Sequence, residues 1–297
     1  MTAAAGKRDE ITKMHAKYVD DMTADHVVNL KEDLTSNHQK VWVKPPLKRE
    51  RFEQVLRDDR NIMQQQITDL CQYAVENEMR LNKDKTKVML FNTAKQSDFM
   101  PEIVVGNENL EVVEEFKLLG VMITSNLKWE TNTEYITKKG YKRLWMIRRL
   151  KNLGMNTKSL VKIFTTQIRS VLEFGAVTWH PMLTKENSDA IERVQKTALA
   201  IILSPDYRSY DEALEITKLE KLDKRRIALS LNFAKKAIIH PERSKWFSKQ
   251  DASTNVQTRA FKPPYKPVQA RTNRLLKSPV PYLTQLLNID ATKNYRP

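Results

Sequence analysis

The chain has 297 residues, of which 40% are hydrophobic, so it is long enough for one large domain or two modest ones with real cores. Its formal charge of +15 points to a polyanionic partner, nucleic acid first and an anionic membrane surface second. Six glycines, none in GxGxxG or GxxxxGK[ST] spacing, speak against Rossmann and Walker-type nucleotide cradles, and five scattered histidines with a lone Cys71 speak against zinc and an internal disulfide.

Nothing at the N-terminus resembles a signal peptide, since Met1 to Gly6 is followed at once by Lys7, Arg8, Asp9 and Glu10. The longest apolar run, Ala198 to Leu203, is far short of the roughly 20 residues of a membrane helix. An intracellular protein that does not engage a membrane is the expectation.

Ile11 to Tyr18 can form a strand that ends in Tyr18-Val19-Asp20-Asp21, and Met22 to Leu30 can return as its hairpin partner. Paired carboxylates at such a tip suit divalent metal ions, although a two-metal site needs carboxylates from at least two places in the chain. Residues from Ser36 to Arg51 read as an exposed basic loop around Pro45 and Pro46. Helical periodicity then begins near Phe52, with Ile62, Gln66, Leu70, Tyr73 and Ala74 on one face, and stops near Glu78 to Asn82. Three strands follow, at Val88 to Phe91, Ile103 to Val105 and Phe116 to Ile123, with a turn at Gly106-Asn107.

From about Thr131 the pattern is helical only. Thr157 suits an N-cap, helices follow near Thr184 to Leu203, Tyr210 to Ile216 and Leu222 to Ile239, and Ser204-Pro205 and His240-Pro241 close two of them. Between Tyr135 and Leu172 there is no acid, whereas Lys138, Lys139, Lys142, Arg143, Arg148, Arg149, Lys151, Lys158, Lys162 and Arg169 are basic. Ordinary solvated helices mix both signs, so these ten residues are candidates for phosphate contacts, with a merely soluble basic face as the plainer alternative. Tyr135, Tyr141 and Trp145 among them read as core or sugar contacts. After Asp251, six prolines among scattered bases favour an extended tail.

Taken in order, Tyr18-Val19-Asp20-Asp21, then Leu81-Asn82-Lys83-Asp84-Lys85-Thr86-Lys87 with Val88-Met89-Leu90-Phe91, then Phe116-Lys117-Leu118-Leu119-Gly120-Val121 resemble the third, fourth and fifth sequence blocks of a reverse-transcriptase palm. The set is similar to the reverse transcriptases of non-LTR, LINE-type retrotransposons. Leu127-Lys128-Trp129, Arg143-Leu144-Trp145, Ile191 to Lys196 and Leu222 to Arg226 resemble the thumb of those proteins, and Lys277 to Leu283 resembles the C-terminus of one subgroup.

The resemblance implies an α+β fold in three parts. A partial palm of antiparallel hairpins with a packed helix would occupy residues 1–130, an all-helical thumb 131–245, and an extended basic tail 246–297. It also implies RNA-directed DNA polymerase chemistry with Mg²⁺ held by Asp20 and Asp21, Lys85 as the cation at the departing pyrophosphate, and Tyr18, Phe116, Leu119, Gly120 and Val121 at the primer. Lys85 reads equally as a solvated turn residue, and Leu119 and Val121 equally as core. The implied partner is an RNA/DNA template-primer duplex, the implied place the nucleus. The fingers and first palm blocks would have to precede Tyr18, so the expectation is a polymerase fragment that is inactive alone unless a second chain supplies them. A non-catalytic nucleic-acid-binding remnant and a helical protein-interaction module stand as alternatives.

Overall fold

The computed structural model describes residues 49–79, 81–91, 102–250, 263–270 and 272–294. The expected hairpin around Tyr18, Asp20 and Asp21 and the basic loop to Lys48 lie outside the described residues. The chain divides into two compact units, residues 1–119 with 125–127, and residues 120–124 with 128–297. At the coarse level the fold is mixed, with many helices and a few small strands.

In the first unit, helix α1 (Arg49–Glu76) covers a group of two-residue strands: β1 (Lys87–Val88), β2 (Val104–Val105), β3 (Glu108–Asn109) and β4 (Glu111–Val112). The apolar face of α1 is Met63, Ile67, Cys71 and Ala74, packed with Val88, Ile103, Val105 and Leu110. Ile62 is exposed, and so is Gln66. The expected face was therefore misplaced at its start by one residue, because a helix so rich in polar side chains leaves the 3.6-residue period weakly marked there. Gln64 fixes the docking: its amide donates to Val104 O at 2.9 Å and accepts from Val104 N at 2.8 Å. β2 and β3 form an antiparallel hairpin about Gly106, whose φ of 65° suits a glycine. β1 and β4, by contrast, pair in parallel, Lys87 opposite Glu111 and Val88 opposite Val112, so the expected all-antiparallel layer is corrected. Met89, Leu90 and Phe91 fall outside β1, which is shorter than the apolar run promised.

The chain passes from the first unit to the second at Leu119-Gly120, the turn between β5 (Glu115–Leu118) and β6 (Val121–Thr124). The second unit is helical after β6. Its helices are α2 (Glu130–Asn152), α3 (Thr157–Ile163), α4 (Ser170–Leu172), α5 (Ala176–Trp179), α6 (Lys185–Leu203), α7 (Tyr210–Thr217), α8 (Leu222–Ala237), α9 (Asn273–Leu276) and α10 (Pro279–Asn294). Asn156, one residue before the expected cap, caps α3 by accepting from Ser159 N at 2.9 Å. A π-helical stretch, Phe164–Arg169, links α3 to α4. Thr184 caps α6 by accepting from Asn187 N at 3.2 Å, at the start of the helix expected near Thr184.

α2 and α6 pack side by side through Ile136, Leu144, Ile147, Ile191, Val194 and Ala198, the centre of the main core. Within the expected extended tail, Asn273–Leu276 and Pro279–Asn294 are helical. α10 lays Leu283 and Leu287 against Ala234 and Ala237 of α8, and Phe247 completes that smaller core. Pro279 and Pro281 sit in the first turn of α10, where a missing N–H costs no hydrogen bond, so they start this helix and do not break it.

Candidate nucleic-acid interface

The rotation of α2 is set by its buried side. Asn132, Thr133, Ile136, Gly140, Leu144 and Ile147 recur at three and four residues and face the core. Asn132 adds a fixed point, its Oδ1 accepting the Met122 backbone N–H of β6 at 3.1 Å. At Gly140 the neighbouring chain comes so near that a Cβ would lie 3.0 Å from Val194 Cγ1 and 3.1 Å from Leu172 Cδ2. With this side seated, the opposite side of α2 faces solvent and carries Lys138, Tyr141, Lys142, Trp145, Arg148 and Arg149, again at spacings of three and four. All six are exposed, Tyr141 at 42% and Trp145 at 63%. Acids occur on α2 only in its first turns, at Glu130 and Glu134.

The ten basic residues separate by role. Lys138, Lys139, Lys142, Arg148, Arg149, Lys158 and Lys162 are exposed. Lys139 lies over the Tyr135 ring, 5.1 Å from its centroid, and donates to its hydroxyl at 3.1 Å. Arg143, Lys151 and Arg169 are half-buried and committed within the fold. Arg143 Nη1 donates to Gln167 O in the π-helical stretch. Lys151 Nζ donates to Ile201 O at 2.6 Å, to Ile202 O at 3.3 Å and to Ser204 O, so it neutralises the negative C-terminal end of α6. Arg169 lies 4.0 Å from Glu173 Oε2, and burial, followed by the nearby Arg225 charge, pulls its guanidinium below the usual value. Each of the three already has an internal acceptor, which leaves it less available to a phosphate than the seven exposed residues.

Comparison with models of known families, with curated proteins and with solved structures gives no match.

Two segments singled out in the sequence meet in the second unit. Glu192 of α6 accepts the Leu222 N–H at the start of α8 through both oxygens, at 3.1 and 3.0 Å, and takes the Tyr210 hydroxyl. Burial and that carboxylate raise the Tyr210 pKa. Gln195 donates to Tyr210 Oη at 2.8 Å and to Glu220 O at 3.0 Å. Arg225 holds Glu173 with two nitrogens, at 2.7 and 3.2 Å. Arg226 is fully buried and donates to Ser188 Oγ at 2.7 Å and to His180 Nδ1 at 3.2 Å. These contacts join helices within the second unit.

Tyr18, Asp20 and Asp21 lie outside the described residues. Among the described residues no three His, Cys, Asp or Glu side chains form a group able to hold a metal. Lys85 is exposed at the end of the 3₁₀ turn Lys83–Lys85, where its N–H donates to Asn82 O and Oδ1, both at 3.2 Å. It belongs to the first unit and the basic helix to the second. Phe116 and Leu119 are exposed, Leu119 with φ of 47°. Gly120 has φ of 91° and backs onto Phe174, 3.1 Å from where its Cβ would be. Val121 is partly buried and packs against the main core, its Cγ2 2.9 Å from where a Cβ on Gly175 would be. The sequence left Trp145 between core and sugar contact, and its exposure of 63% removes the core alternative. The signal was present, because Trp145 is three residues from Lys142 and Arg148 and four from Tyr141 and Arg149, but a tryptophan among leucines invites assignment to a core.

Proposed function

We propose that the chain grips nucleic acid as the palm and thumb portion of a non-LTR reverse-transcriptase-like protein, with the outward face of α2 as its contact surface. The observation that carries the grip is that face itself: four exposed cations at helical spacing, with no acid from Tyr135 to Leu172. Unneutralised, such charges repel, and lining them along a phosphate backbone releases counterions and favours binding. The order of the three palm-like blocks and the thumb-like segments supports the narrower family reading. A template-primer duplex in the nucleus is the partner and place that reading brings with it. Among the described residues no helix is long and apolar enough to cross a membrane.

The division of labour is testable. Affinity for a primer-template should fall steeply as salt rises, and Lys142→Ala with Arg149→Ala should weaken it without sequence preference. Binding insensitive to salt, or unchanged in the double variant, would refute the grip. Polymerase chemistry has its own readout, Mg²⁺-dependent incorporation of a deoxynucleotide once a second chain supplies the fingers and first palm blocks; any such incorporation should be lost in Asp20→Ala while duplex affinity stays the same. Incorporation that survives Asp20→Ala would remove the palm reading and leave the grip standing.

A further inference from the structure

Trp145 is 63% exposed at the centre of a cationic helix face, and phosphate binding alone gives it no task. An indole in water forfeits the burial that usually places it in a core or an interface. Its neighbours on α2 explain what could cover it. Lys138 and Lys142 precede it, Arg148 and Arg149 follow it, and Tyr141, also exposed, lies one turn before. Backbone phosphates held by those cations would bring bases to within reach of the ring.

We propose that Trp145 is a stacking platform for an unpaired base, so that the basic face of α2, beside its hold on the duplex, gains affinity for the single-stranded part of a primer-template or a frayed end. This rests on the nucleic-acid reading above and adds the class of strand. Inside a regular duplex every base face is already stacked, so a ring standing out from a helix meets only sugars and phosphates. An unpaired base offers a free π-face, and stacking on it is tolerant of sequence because every base has one. The four cations supply charge complementarity to the strand, and Arg148 and Arg149 add planar groups that can flank a base. An anionic membrane surface shares the charge preference, but an interfacial helix needs a broad apolar side, and here the outward side holds Tyr141 and Trp145 among cations.

The experiment uses the full chain and three labelled probes: an oligothymidylate of about 20 nucleotides, a hairpin-closed duplex with no free ends, and phosphatidylserine vesicles. Trp145→Leu should lower affinity for the oligothymidylate about tenfold and leave the closed duplex within about twofold, while Trp145→Phe retains part of the single-strand affinity. Binding of the oligothymidylate should also quench tryptophan fluorescence in the wild type, and the quench should vanish in Trp145→Phe. Equal losses on both nucleic acids, no loss on either, or vesicles that compete better than the single strand would overturn the proposal. Failure of the wild type to bind either nucleic acid in a salt-dependent way would overturn the basic-face reading beneath it, a different result. An unchanged melting temperature in Trp145→Leu excludes misfolding as the cause of any loss.

Discussion

Arg226 Nε donates to His180 Nδ1 at 3.2 Å, so a permanently charged guanidinium meets the acceptor nitrogen of an imidazole. Both are held in place: Arg226 also reaches Ser188 and lies near the Trp179 ring, and His180 meets the Tyr282 ring of α10 edge-on at 6.0 Å. A proton on Nδ1 would remove the acceptor and set two cations against each other in a buried place.

The first prediction follows from that pair. Burial, and next the Arg226 charge, push the His180 pKa down to about 4, with Asp223 opposing weakly. An unfolded histidine titrates near about 6.5, so between these values the unfolded chain binds a proton that the folded chain refuses. Stability is therefore full above the unfolded value and falls as the pH drops from about 6.5 toward about 4, by about 2 kcal/mol once solvent screening is allowed for. Urea denaturation across that range should show a steeper loss in the wild type than in His180→Gln. Parallel curves would mean that His180 titrates normally in the fold.

The second concerns Glu192. The α8 N-cap residue, Lys221, offers no side-chain cap, and the carboxylate of Glu192, from another helix, takes that role by accepting Leu222 N–H. Glu192→Ala should cost about 2 kcal/mol, because it orphans the Leu222 donor and the Tyr210 hydroxyl together. Tyr210→Phe should cost about 1 kcal/mol, and the double variant less than the sum, since both act on one network. Additive losses in chemical denaturation would show that the contacts are independent.

Third, Lys151 and its exposed neighbours should part company in their effects. Lys151→Met removes the cation from three carbonyls at the end of α6 and should cost about 1–2 kcal/mol, with the salt dependence of nucleic-acid binding unchanged. Arg149→Ala should leave stability nearly untouched and lower the slope of log affinity against log salt by about 1. A reduced slope in Lys151→Met would return that residue to the binding face.

How far these roles could be read in advance depends on what each local pattern encodes. Thr184 before an apolar period, and Ser204-Pro205 after it, mark α6 at both ends because capping and helix termination act within a few residues. Lys151 looked like Arg149, since both are bases on a basic helix, and only the approach of α6 from some fifty residues on tells them apart. The C-terminal prolines misled for a related reason. Composition counts Pro279 and Pro281 as breakers, whereas their position in the first turn, with Leu283 and Leu287 one turn apart behind them, spells a packed helix. The β1 and β4 pairing joins residues 87–88 to 111–112, and two-residue strands carry too little alternation to announce a partner or a direction.

The last prediction concerns Gly140, where the seating of α2 is decided. In an isolated helix Gly→Ala stabilises by roughly 0.5–1 kcal/mol, since alanine has less freedom to lose. Here the new Cβ would stand 3.0 Å from Val194 and 3.1 Å from Leu172, both fully buried, so neither can yield without moving its own neighbours. Overpacking of that kind costs about 1–3 kcal/mol and outweighs the helical gain. Gly140→Ala should thus lower the melting temperature, and Gly140→Val lower it further. Because the cations and Trp145 lie on the far side of the same helix, pushing α2 off α6 moves them as a body. Any change in nucleic-acid affinity should then track the loss of stability across the two variants. A rise in melting temperature for Gly140→Ala would mean that the two helices do not pack this closely.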